Sequence, residues 1–139
     1  MIFYKSGYKY QLHHPAAFET MIKPEFPIQT EYLRLTVDGV LFIKEGYAWD
    51  GPSGPTIDTS NFMPASLMHD AIYQLFRMEL LDVDRWRKTA DEELRRFALE
   101  DGMSWFRAWY VYRSVRLGAR KAAMPESKKL VHRAPVPYL

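Results

Sequence analysis

Glu31-Tyr32-Leu33-Arg34-Leu35-Thr36-Val37-Asp38-Gly39-Val40-Leu41-Phe42-Ile43-Lys44-Glu45-Gly46-Tyr47 is the stretch that decides the fold. Two apolar-rich runs, 31–37 and 40–47, flank Asp38-Gly39. A type I′ turn needs positive φ at both central residues, which Asp tolerates and Gly favours, so the pattern predicts a β-hairpin with a two-residue turn. In that register Val37 faces Val40 and Leu35 faces Phe42, which gives the hairpin one buried side. Upstream, Tyr8 to Leu12 suits a short strand, and the stretch through Pro15, Pro24 and Pro27 is expected to be mostly irregular.

Downstream the pattern changes. Tyr47-Ala48-Trp49 leads into Asp50-Gly51-Pro52-Ser53-Gly54-Pro55, where Pro52 and Pro55 exclude a regular element. Pro64 suits the first turn of a helix running to about Met78, with Leu67, Met68, Ile72, Leu75 and Phe76 as its apolar positions. A second helix is expected from Asp84, as cap, to about Asp101 before Gly102, and a third from about Ser104 to Ala122. The third carries Arg113, Arg116 and Arg120 on one face, against an apolar set that includes Ala108, Tyr112, Val115 and Ala119. Strands followed by helices make an α+β fold.

The 139 residues, 47% of them hydrophobic, suit a single domain over residues 1–125 with a basic, Pro-containing tail over 126–139. With no cysteine, disulfides and thiolate metal sites are excluded. The N-terminal residues show no signal-peptide pattern, so first residence in the cytoplasm is expected. The net charge of +2 conceals an imbalance: residues 1–102 sum to −5 and residues 103–139 to +7. The basic end suits phospholipid headgroups, an acidic protein face or nucleic acid, the last being least favoured because no base-reading motif is present. A solvated helix face balancing the acidic part of the same domain fits equally.

His69, Asp70 and Tyr73 share one helical turn, with His69 and Tyr73 on a common face. Histidine can accept and return a proton near neutral pH, and an adjacent carboxylate can hold a cation. Gly51 and Gly54 in the preceding loop allow close approach of backbone to a bound group, as oxygen-ligated cations and oxyanions require. The same residues also suit a rigid connector and a histidine that only satisfies its hydrogen bonds. His13-His14, joined to His69-Asp70, resembles the metal set of HD-type phosphohydrolases, but those are all-helical and larger.

The segment from Gly46 to Tyr73 resembles the calcium loop and catalytic helix of secreted phospholipases A2. Their loop reads Cys-Gly-x-Gly-Gly and their helix His-Asp-x-x-Tyr; here Asp50-Gly51-Pro52-Ser53-Gly54 precedes His69-Asp70-Ala71-Ile72-Tyr73. Asp50 replaces the cysteine and Ser53 the middle glycine, and the family's disulfides are absent. The resemblance implies that main-chain oxygens of Trp49, Gly51 and Ser53, with the Asp70 carboxylate, bind calcium. It implies that His69 activates a water, that the Gly51 N–H helps to stabilise the oxyanion, and that the first two helices pack antiparallel so that His69 faces the second, whose aspartate orients it. By context that aspartate is Asp91, hydrogen-bonded to Tyr73, with Glu92 and Glu93 as neighbouring alternatives.

A second resemblance covers more of the chain. Tyr47 to Pro55, Leu67 to Tyr73 and Arg107-Ala108-Trp109-Tyr110-Val111-Tyr112 look like a family of small proteins of tailed bacteriophages and prophages whose function is uncharacterised. Two functions are expected from these readings. One is a phage-encoded, calcium-dependent hydrolase of phospholipid or a related ester; the other is a non-catalytic virion or assembly protein that binds a phage or host partner through Arg113, Arg116 and Arg120.

Overall fold

The computed structural model describes residues 10–49 and 63–124. Six strands, β1 (Tyr10–Gln11), β2 (Ala16–Glu19), β3 (Ile28–Gln29), β4 (Leu33–Leu35), β5 (Val40–Ile43) and β6 (Ala48–Trp49), precede three helices. The helices are α1 (Met63–Arg77), α2 (Val83–Glu100) and α3 (Trp105–Ala122), so the chain is α+β. The described residues fall into two compact units, 10–49 and 63–124. The loop 50–62 and the tail 126–139 lie outside the described residues.

In the first unit a four-stranded antiparallel sheet has the order β2-β5-β4-β3, and β1 pairs with β6. The hairpin forms, but one residue out of the expected register: Leu33 pairs with Ile43, Arg34 with Phe42 and Leu35 with Leu41. The turn is a three-residue loop, Val37-Asp38-Gly39. Gly39 alone of the three has positive φ (96°), and Thr36 closes the loop by accepting from the N–H groups of Gly39 and Val40. The reason lies in alternation. Leu33, Leu35, Leu41 and Ile43 are all odd-numbered and all buried, and only an even-sum register sets them side by side on one face. Phe42 therefore points outward, with the Arg34 guanidinium 4.3 Å above its ring.

Gly39 also meets β2. Thr20 donates both its N–H and its hydroxyl to the Gly39 carbonyl at 2.8 Å, and a Cβ on Gly39 would collide with the Thr20 carbonyl oxygen. The stretch from Pro15 to Pro27 is mostly irregular, as expected, apart from β2, and β3 begins just beyond it. Each follows directly after a proline, and both are outer strands, where a missing N–H removes no ladder bond.

The second unit is an α-helical hairpin extended by a third helix. On α1 the expected apolar positions Leu67, Met68, Ile72, Leu75 and Phe76 are all buried. Its C-terminus closes with Leu80 N–H to Leu75 C=O and Glu79 N–H to Phe76 C=O, which places Glu79 at φ 60°, a left-handed position usually held by glycine. α2 is capped by Asp82, not Asp84: the Asp82 carboxylate accepts from the N–H groups of Asp84 and Arg85. Helical geometry begins at Val83, so Asp84 sits inside the first turn, where its charge suits the helix dipole. Gly102 (φ 99°) ends α2, with Met103 N–H bonded to Ala98 C=O.

Ala65 of α1 packs with Leu94 and Ala98 of α2, while Asp91, a turn earlier on α2, contacts His69 and Tyr73, further along α1. Chain order thus reverses, and α1 and α2 run antiparallel. Ala108 and Val111 of α3 join the same cluster, with Phe97 and Val115 at its margin. Arg95 of α2 lies 4.4 Å over the Tyr112 ring. Among the described residues no helix is long and apolar enough to cross a membrane.

Candidate functional site

From Ala65 to Arg77 every residue of α1 is buried except His69 and Asp70, which are partly exposed. The helix is closed along most of its length and opens at the two adjacent residues that could move a proton and hold a cation. The His69 side chain is 12% exposed, so its ring can reach a ligand from an otherwise enclosed position.

Beneath that opening lies Asp91, with no exposed surface. One carboxylate oxygen, Oδ1, accepts from the Tyr73 hydroxyl at 2.7 Å and lies 2.7 Å from His69 Nε2. The other, Oδ2, accepts from Arg116 Nη1 at 2.8 Å and has Arg87 Nη1 at 3.6 Å. Helical spacing explains the convergence. His69 and Tyr73 are one turn apart on α1, Arg87 is one turn before Asp91 on α2, and Arg116 comes from α3. The His69 and Tyr73 rings lie 4.3 Å apart, centroid to centroid, which further limits rotation of the imidazole.

Burial alone would raise the pKa of Asp91, but hydrogen bonds and charge from His69, Tyr73 and Arg116 outweigh it and hold the carboxyl below the usual range. Burial, reinforced by the Asp91 charge, pushes the Tyr73 phenol well above its ordinary value, so it stays a donor. An ionised carboxylate only accepts hydrogen bonds. His69 Nε2 must therefore carry hydrogen toward Asp91, and in the neutral ring Nδ1 holds the lone pair. Nδ1 has no hydrogen-bond partner among the described residues. An imidazole held by one nitrogen with the other free to accept a proton is the arrangement that general-base chemistry uses.

His69, Tyr73 and Asp91 are thus brought together. Of the neighbouring carboxylates, Glu93 is held by the fork of Arg96 at 2.8 and 2.9 Å, and Glu92 is partly buried on the same helix. Asp70 supplies a hard oxygen donor beside His69, which suits a calcium ion. Trp49 is buried at the end of β6, in the first unit. Gly51 and Ser53 lie outside the described residues, and among those described no three His, Asp or Glu side chains gather as a metal cluster. His13 and His14 are exposed in the first unit, in edge-on contact with each other.

Arg87 and Arg116 are what sequence reasoning missed. Arg116 was expected in an outward cationic stripe with Arg113 and Arg120, yet it turns in to Asp91. A signal existed: Arg116 follows Tyr112 by four, so it borders the apolar side of α3. Arg113 faces outward, 5.9 Å from the Trp109 ring. No protein-family model, curated protein or solved structure matches the chain.

Proposed function

We propose that this chain is a calcium-dependent hydrolase of phospholipid or a related carboxylic ester, encoded by a phage, synthesised in the bacterial cytoplasm and used in lysis or at the start of infection. The observation that carries the reading is the 2.7 Å approach of His69 Nε2 to a buried Asp91 that Tyr73 also holds, where α1 is partly exposed at His69-Asp70. Asp91 keeps the Nε2–H tautomer, so Nδ1 takes the proton from a water as that water attacks the ester carbonyl. His69 then returns the proton to the leaving alkoxide. Calcium, with the Asp70 carboxylate as a ligand, would supply positive charge for the oxyanion.

The test is fatty-acid release from phospholipid vesicles with calcium and with chelator. Wild type should be active only with calcium, and His69→Gln and Asp70→Asn should each lose about a hundredfold or more. A wild type that releases nothing, and whose melting temperature calcium leaves unchanged, sinks the reading.

The second reading is a non-catalytic virion or assembly protein. What favours it is the pair of arginines on Asp91: a carboxylate gripped from three helices also serves as a structural node. In that case His69→Gln weakens the fold, and no ester is cleaved by any variant.

A further inference from the structure

The geometry points to α3 as a surface that docks this protein onto an anionic lipid bilayer. Trp105, Phe106 and Leu117 are 68, 67 and 80% exposed, and Trp109 and Tyr110 are also exposed. At 100° per residue these five and Arg113 fall within an arc of roughly 140° on one side of the helix. Ala108, Val111 and Val115, which pack against α2, occupy the opposite side. The exposed apolar residues are therefore a continuous stripe and not isolated side chains, and no core position accounts for them.

The stripe is ordered and charged. The Trp105 and Trp109 rings stack within 11° of parallel, Phe106 abuts Trp109, and the Arg113 guanidinium sits beyond them. Arg113 gives this side of α3 a positive charge, Arg116 being tied to Asp91, and the helix carries no Asp or Glu. Tryptophan and tyrosine set an apolar body in the acyl boundary and a polar edge in the headgroups, while arginine reaches anionic phosphate. A stripe that is mainly apolar, with one arginine beside it, suits acyl chains better than a phosphate backbone, and a second copy would bring like charges together. A bilayer with anionic headgroups satisfies both the apolar stripe and the charge. This surface stands on α3 and holds whether or not His69 is catalytic.

Sedimentation with vesicles of phosphatidylcholine, with and without phosphatidylglycerol, tests it on the full chain in chelator, so that calcium-dependent hydrolysis plays no part. Wild type should bind the anionic vesicles about tenfold more tightly, lose that preference in high salt, and shift its tryptophan emission to shorter wavelength. The triple variant Trp105→Ser, Phe106→Ser, Trp109→Ser should lose binding and the emission shift with its helical circular dichroism intact. Leu117→Glu, at the most exposed position, should weaken binding severalfold and serves if the triple variant does not fold. A wild type left in the supernatant, or binding that survives both changes, overturns the proposal. So does binding of an acidic protein or a single-stranded oligonucleotide through these residues with none to vesicles.

Discussion

Arg116 donates to Asp91 Oδ2 at 2.8 Å, occupying the carboxylate oxygen opposite the one shared by His69 and Tyr73. A residue on the third helix thereby holds the aspartate that positions a histidine on the first. Removing it leaves a buried carboxylate short of a charged donor. Arg116→Met should lower stability by about 2 kcal/mol, read as the urea midpoint, and Arg116→Lys should restore part of that. An Arg116→Met midpoint equal to that of wild type would show that the contact contributes nothing.

The charge on Asp91 makes stability depend on pH. Its folded pKa lies below the unfolded value of about 3.9, so ionisation favours the folded state. That contribution is complete above the unfolded pKa and is lost as pH falls through the folded one. The stability gap between wild type and Asp91→Asn should thus be wide at neutral pH and narrow below about pH 4. A gap independent of pH would show that folding leaves the Asp91 pKa unshifted.

Glu79 holds a left-handed conformation at the end of α1, where a side chain is strained against its own backbone. Glu79→Gly should raise stability by about 1 kcal/mol, seen as a higher melting temperature. Glu79 is exposed and borders neither Asp91 nor the α3 stripe, so both should be unaffected.

Gly39 is irreplaceable for two separate reasons, its φ of 96° and its contact with the Thr20 carbonyl. Gly39→Ala must either push β2 away from the hairpin turn or break the Thr20 bonds. A loss of about 2 kcal/mol or more is expected, with faster hydrogen exchange at the Thr20 amide. An alanine variant as stable as wild type would mean that the turn readily adopts another form.

The α+β class, the three helices and the hairpin's existence were legible in the linear chain, because periodicity and turn residues act locally. The alternation of Leu33, Leu35, Leu41 and Ile43 also held the register, but Asp38-Gly39 is a louder local signal and points to a turn one residue shorter. Burial of one face overrules turn preference, since a one-residue slip would turn that whole apolar set to solvent. Likewise His69, Asp70 and Tyr73 were marked by helical spacing, whereas Asp91, with Glu92 and Glu93 beside it, was marked only through the phospholipase A2 resemblance. Only the tertiary structure decided that, between Ala65 and Arg77, α1 is partly exposed at His69-Asp70 alone and that Asp91 is held by His69 and Tyr73 of α1 and by Arg116 of α3. It also decided that Arg116 turns inward while Trp105, Phe106 and Leu117 stay outside. Those outcomes depend on which helix faces which, and the pairing energy of a buried charge or the exposure of an aromatic stripe arises only once the helices have packed.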